Sequence, residues 1–141
     1  MAMTIHVDIV SAEKEIFSGA AEAVFASAVM GEVGIYPRHT QLLTRLKPGE
    51  VRLLINGKEE QYYVSGGMLE VQPHVVTILA DTAIRADSID EAAAKAAMHQ
   101  AEQAVKNSTA KKELAEAQLE LAKAVAQLRS FERARKKGHT H

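Results

Sequence analysis

Six histidines and 18 Asp and Glu residues supply this chain with proton donors and acceptors, and there is no cysteine. Thiol nucleophiles, disulfides and thiolate zinc sites are therefore excluded, and redox chemistry says nothing about compartment. The histidines and carboxylates fall in no pattern with metal-ligand or catalytic-triad spacing, which argues against an independent enzyme: no catalytic residue, no metal site and no cofactor are expected. His139 and His141 could chelate a metal, but they follow Gly138 in what reads as a frayed tail. Ser65-Gly66-Gly67 has the wrong spacing for a nucleophile elbow or a phosphate loop, and it joins strands. Asn107-Ser108-Thr109 is formally a glycosylation acceptor, yet without a secretion signal it reads as a helix-breaking turn. The densest charge is basic: Arg129, Arg133, Arg135, Lys136 and Lys137 stand against Glu132 alone. Such a run suits the negative end of a helix dipole without any partner, or it could meet an acidic surface.

The elements that must carry these residues divide the chain in two. Over 141 residues, seven of the eight glycines lie at or before Gly67, all three prolines at or before Pro73, and five of the six aromatic residues at or before Tyr63. From Asp90 to Lys137 there is neither Gly nor Pro, and Ala recurs with Glu, Gln, Lys, Leu and Arg, the strong helix formers. A boundary is expected near Arg85 to Ser88. In the first part, residues 4–10 alternate Ile5, Val7 and Ile9 against His6, Asp8 and Val10, the period of a half-buried strand. Residues 51–55 and 61–64 flank Asn56-Gly57, a hairpin turn. Lys47-Pro48-Gly49 reads as another turn, and Ser65-Gly66-Gly67 and Gln72-Pro73-His74 as further reversals before a strand at residues 75–79. Turns this closely spaced imply an antiparallel sandwich or flattened barrel.

The second part reads as a helical hairpin. Ser88 and Glu91 form a capping box, so one helix should run from about Ile89 to about Lys106, and a second from Asn107-Ser108-Thr109 to about Lys137. On the second helix Leu114, Leu121 and Leu128, each followed three residues later by Ala117, Ala124 or Phe131, make a coiled-coil seam. Its expected partner is Ala93, Ala97, Ala101 and Ala104. Lys and Arg number 17, giving a net charge of −1, so a nucleic-acid surface is not expected. The start of the chain has no basic stretch followed by an apolar run, and no window approaches the roughly 18 apolar residues of a membrane span. A cytoplasmic protein, or one peripheral on a membrane complex, is expected.

Gly31-Glu32-Val33-Gly34-Ile35-Tyr36-Pro37-Arg38-His39-Thr40-Gln41-Leu42-Leu43 resembles the signature of the epsilon subunit of bacterial F-type ATP synthases, Gly-Glu-Leu-Gly-Ile-x-Pro-Gly-His-Ala-Pro-Leu-Leu. The block from Val64 to Pro73, the block from Val76 to Asp81, and Val10-Ser11-Ala12-Glu13 with Phe17-Ser18-Gly19 resemble the same family. The resemblance implies an α+β chain: an N-terminal antiparallel sandwich of about ten strands over residues 1–86, then a two-helix antiparallel hairpin with a tail over residues 87–141. It implies a non-catalytic rotor subunit that couples proton translocation to ATP synthesis and restrains ATP hydrolysis through the hairpin. The implied partners are the gamma subunit, the c-subunit ring and the alpha/beta catalytic head, with no nucleic acid. Membrane association would come only through the complex, on the cytoplasmic side of a bacterial inner membrane.

The resemblance assigns Gly31, Glu32 and Val33 to the c ring, although a lone carboxylate in a loop is ordinarily just solvated. It assigns His39 and Leu42 to gamma, although His39 could equally be a half-buried histidine satisfying a turn. Lys123, Arg129 and Arg133 match basic positions that meet the beta subunits of the head. Arg38 replaces the family's Gly and Thr40-Gln41 its Ala-Pro, which leaves the local turn open. Nucleotide-binding members carry Ile or Leu followed by Asp-x-x-Arg-Ala at the start of the first helix. Here Ile89, Asp90 and Ala94 remain, but Ala93 stands where the Arg should be and Gln127 where another would lie. Without arginine forks to neutralise a triphosphate, no ATP binding is expected. The alternatives are an ATP-sensing form of the same subunit and a free-standing sandwich that binds nucleic acid through its basic hairpin.

Overall fold

Alternating side chains set the first element: in β1 (Ile5–Ser11), Ile5, Val7 and Ile9 are buried, as the period of two requires. A computed structural model describes residues 3–138, with the side chains of residues 136–138 outside the description. His139 and His141 lie outside the described residues, as do the side chains of Lys136 and Lys137. After β1 come β2 (Glu15–Ala21), β3 (Ala23–Ala28), β4 (Gly31–Ile35), β5 (Leu42–Ile55), β6 (Lys58–Val64), β7 (Gly67–Val71), β8 (Val75–Ala80) and β9 (Ala83–Arg85). A short 3-10 turn, Ala86–Ser88, leads to α1 (Glu91–Asn107) and α2 (Lys111–Gly138). Two compact units result, divided after Arg85.

The nine described strands form one sheet in the order β2-β1-β8-β7-β5-β3-β4, with β6 paired to β5 and β9 to β6. It is a sandwich, as expected, with one departure from antiparallel pairing: β1 and β8 run parallel. Parallel neighbours need a long connection, and everything from β2 to β7 supplies it. Asn56 and Gly57 have φ of 53° and 78°, the two positive angles of a type I′ hairpin turn closing β5 onto β6.

Lys47-Pro48-Gly49 is not a turn. It lies inside the 14-residue β5. Residues 42–46 of that strand pair with β7 and residues 49–55 with β6, so Lys47 and Pro48 belong to neither ladder. A proline has no N–H to donate, and this changeover between partners needs none. The change of partner lets one strand serve both layers of the sandwich. The reversal at Ser65-Gly66-Gly67 is as expected, and glycine is required there: a Cβ on Gly67 would lie 2.0 Å from the Leu79 carbonyl oxygen, at φ +140°.

The core between the layers holds Ile5, Val7, Ile9, Val24, Ile35, Leu53, Val64, Leu69 and Ile78. Each such side chain contributes about 1.5–3 kcal/mol on burial. In the helical unit, the seam residues Ala117, Ala124 and Leu128 are buried and Leu114, Leu121 and Phe131 half-buried, as expected. The opposing stripe on α1 differs. It is Ala94, Met98, Ala101 and Val105, while Ala93, Ala97 and Ala104 are exposed. The heptad-like spacing of Ala94, Met98, Ala101 and Val105 collects the two large apolar residues that the four-residue Ala repeat leaves out. With buried methyls worth about 0.8 kcal/mol each, an Ala-based seam holds the hairpin far less firmly than Ile, Leu and Val hold the sandwich.

Candidate functional site

Three surfaces carry the residues singled out by sequence. The first is the β3–β4 hairpin, whose pair Ala28↔Gly31 brackets the tip residues Val29 and Met30. Met30 is 91% exposed. Gly31, Glu32 and Val33 follow, on strand β4 rather than in a loop, because Ser27↔Glu32 and Ala26↔Val33 continue the ladder. Nor is Glu32 a lone carboxylate. Its Oε1 accepts from Nη2 of Arg52, which also reaches Glu59 Oε1 at 3.5 Å through Nη1. The Arg52 guanidinium lies over the Phe25 ring, 5.0 Å from its centroid. Arg52 and Phe25 were not foreseen. The available signal was strand alternation, since Val51 and Leu53 are core and Arg52 between them must face outward.

The second surface is the chain reversal after β4. The His39 amide donates to the Tyr36 carbonyl at 3.2 Å, closing a turn in which Arg38 takes φ 66°. Arg38 thus adopts the left-handed geometry that the family's Gly would give, and its own amide donates to the Pro73 carbonyl at 3.0 Å. His39 is half-buried and its Nδ1–H donates to the Thr40 carbonyl at 2.7 Å, so Nε2 remains as acceptor. Leu42 packs against the core while its neighbour Leu43 is 66% exposed. Gln41, Leu42, Leu43, Glu70, Val71 and Gln72 line a shallow groove of about 330 Å³.

The third is the helical hairpin. Its antiparallel course brings Arg135 Nη1 near the end of α2 to 3.8 Å from Glu91 Oε2 at the start of α1. The cap of α1 is Asp90, not Ser88: Asp90 Oδ1 accepts from the Ala93 amide at 3.2 Å. Ser88 is held in the preceding 3-10 turn, its hydroxyl donating to Asp87 at 3.3 Å. The residues left from a nucleotide motif are thus occupied structurally. Ile89 and Ala94 are buried and Asp90 caps a helix. Arg129 and Arg133 are exposed and one turn apart on one face of α2, whereas Lys123 lies off that stripe and pairs with Glu120 at 3.6 Å.

One further cluster has the composition of a hydrolase triad. On the exposed face of β1 and β2, Ser18 donates to Asp8 Oδ1 at 2.7 Å, and His6 Nε2 lies 3.0 Å from the same oxygen and 3.3 Å from Ser18 Oγ. The hydrogen bond from Ser18, helped by His6 and opposed by partial burial, holds the Asp8 carboxyl below its ordinary value of 3.8. The serine proton points to the carboxylate and one imidazole nitrogen meets both partners, so no base is directed at a nucleophile. Among the described residues no group of three His, Cys, Asp or Glu could hold a metal. Among them, too, no helix is long and apolar enough to cross a membrane.

Known proteins match most of the chain in sequence and fold. Residues 4–86 match the family described as ATP synthase, Delta/Epsilon chain, beta-sandwich domain, and residues 87–132 its long alpha-helix domain. An ATP synthase epsilon chain of Nitrosococcus oceani is 65% identical over 138 residues, covering 97% of this chain and 99% of the relative. ATP synthase epsilon chain 1 of Methylococcus capsulatus is 60% identical over 137 residues, covering 96% and 98%. In fold, the chain is similar to one from the Euglena gracilis mitochondrial ATP synthase, with TM-score 0.76 at 22% identity over 96% of this chain and 82% of that one. A chain from the central stalk and c-ring structure of the Tetrahymena thermophila mitochondrial ATP synthase gives TM-score 0.65 at 13% identity, covering 94% and 96%.

Proposed function

The chain belongs to the delta/epsilon family of ATP synthase chains, and from that membership we propose that it is the epsilon subunit of a bacterial F-type ATP synthase. It is a non-catalytic part of the central stalk, and the gamma subunit, the c ring and the alpha/beta head are its partners. The observation that carries this reading is 65% identity to an epsilon chain over almost the full length of both proteins. The complex holds it peripherally at the cytoplasmic face of the bacterial inner membrane.

Residues 1–86 bind gamma, through His39 and Leu42, and the c ring, through Gly31, Glu32 and Val33. The free Nε2 of His39 and the exposed Leu43 beside Leu42 support the gamma assignment, and the exposed hairpin tip supports the c-ring one. Residues 87–141 restrain ATP hydrolysis when they extend towards the head, where Lys123, Arg129 and Arg133 meet acidic beta-subunit surface. The light Ala-based seam supports a hairpin that can leave its folded form, and α2 alone would reach about 42 Å at 1.5 Å per residue. The subunit carries no cofactor and does not bind ATP at physiological concentration, since Asp90 would repel phosphates and Ala93 offers no compensating donor.

Removing residues 87–141 from the assembled ATP synthase should raise ATP hydrolysis and leave assembly intact. Arg129→Glu with Arg133→Glu should do the same with the helix still formed, and added salt should weaken the natural inhibition. Unchanged hydrolysis in both variants would refute the inhibitory reading. Saturable ATP binding by the isolated subunit in titration calorimetry would refute the nucleotide part alone.

A further inference from the structure

Glu32 sits at the end of a stacked series of side chains. Tyr36 meets Phe25 edge-on, with centroids 6.0 Å apart and planes at 88°. Phe25 lies against Gly34, where a Cβ would come within 3.2 Å of the ring. The absent side chain is what lets the ring lie down over β4. Arg52 pairs with Phe25 across β3 and β5, and its guanidinium covers the ring face. From there the fork reaches Glu32 on β4 in one direction and Glu59 on β6 in the other. Four adjacent strands, β4-β3-β5-β6, thus contribute one residue each to the arrangement.

We infer that Arg52, stacked on Phe25, is the positioning residue that presents Glu32 to a hydrogen-bond donor on the c ring; this rests on the reading of Glu32 given above. A glutamate on an edge strand has three side-chain torsions to restrict before it can meet a partner. Arg52 restricts them in advance through Oε1, and Oε2 is left to receive a donor from outside. The glutamate side chain keeps 58% of its surface exposed, so the pairing does not hide it, whereas Arg52 is 30% exposed and is itself fixed by the ring below it. The planar cation satisfies stacking and forked donation together, which a lysine would not. Glu59 meets the cation from the other side, and the outward carboxylate oxygen of Glu32 selects a donor or cation rather than an anion.

The test is a double-mutant cycle on the full-length chain, with binding to a purified complex of gamma and c ring measured by surface plasmon resonance. Glu32→Gln should weaken binding about threefold to tenfold, and Arg52→Gln about twofold to fivefold in the natural background. In the Glu32→Gln background, Arg52→Gln should add less than about 1.5-fold, because an effect exerted through Glu32 has already been removed. Arg52→Lys should recover part of the loss, and Phe25→Leu should reproduce part of it. If thermal unfolding shows that Arg52→Gln does not fold, the lysine and leucine variants carry the same cycle. An equal loss from Arg52→Gln in both backgrounds, or no loss in the natural one, would overturn the positioning role while leaving Glu32 as a contact. No loss from Glu32→Gln would overturn the contact itself, and the positioning role with it.

Discussion

Replacing Arg38 by Gly should stabilise the protein. Arg38 has φ 66° and caps the turn between β4 and β5, where its amide and that of His39 are both hydrogen-bonded. A residue with a Cβ in the left-handed region is disfavoured by about 1–2 kcal/mol, since Cβ crowds the following carbonyl. Arg38→Gly removes that crowding and keeps both backbone hydrogen bonds, because neither uses the side chain. Against the gain stands the greater freedom of glycine in the unfolded chain, about 0.4–1 kcal/mol. The arginine side chain itself is exposed, so its loss costs little. The net expectation is stabilisation by about 0.5–1 kcal/mol, or roughly 2–4 °C in Tm for a chain of this size. Thermal unfolding of the full chain, followed by circular dichroism in the β-sheet band, measures it. Arg38→Asn should fall between, because asparagine tolerates this region, and Arg38→Val should be clearly less stable than the natural protein. A glycine variant no more stable than the natural chain, with valine equally tolerated, would show that Arg38 does not hold the left-handed conformation in solution.

Asp90→Ala should destabilise the helical hairpin by about 1 kcal/mol through loss of the cap on Ala93, and Asp90→Asn should retain most of it. Amide hydrogen exchange at Ala93 and its neighbours would register the change, whereas Ser88→Ala should leave the exchange almost untouched. The Asp8 carboxyl titrates lower in the folded chain than in the unfolded one. Its ionised form therefore adds stability that is complete above the ordinary value of 3.8 and is lost as pH falls through the lower folded value. Asp8→Asn should then cost about 0.2–1 kcal/mol at neutral pH, with the difference shrinking in acid, as urea unfolding over a pH series would reveal.

Much of the architecture was legible because short-range rules decide it. The alternation of Ile5, Val7 and Ile9 needs only a strand with one buried face, and Asn56-Gly57 only a backbone with two positive angles. The repeat of Leu114, Leu121 and Leu128 names its own seam, as a heptad must. The stretch from Asp90 to Lys137, rich in Ala and without Gly or Pro, likewise marked where sheet gives way to helix. The residues named for interaction could be located along the chain in the same way, but not their surroundings.

What sequence order does not contain is which distant residues meet, and every departure from expectation but the Asp90 cap has that origin. Pro48-Gly49 is a turn signal locally, yet β5 passes through it because two different strands claim its two halves. Ser88 and Asp90 are both able caps, and the choice fell to the one not already held in the 3-10 turn. The face of α1 turned inward was settled by packing the bulk of Met98 and Val105, not by the spacing of its alanines. Glu32 reads as a solitary carboxylate because its partner lies 20 residues further along the chain. Sheet pairing places Phe25 opposite both Gly34 and Arg52, and only that juxtaposition joins Phe25, Arg52 and Glu59, none of them singled out by sequence, to Glu32 in one site. Periodicity and turn chemistry act over a few residues and can be read along the chain; charge pairing and ring stacking act across it, and they exist only once the strands have found their neighbours.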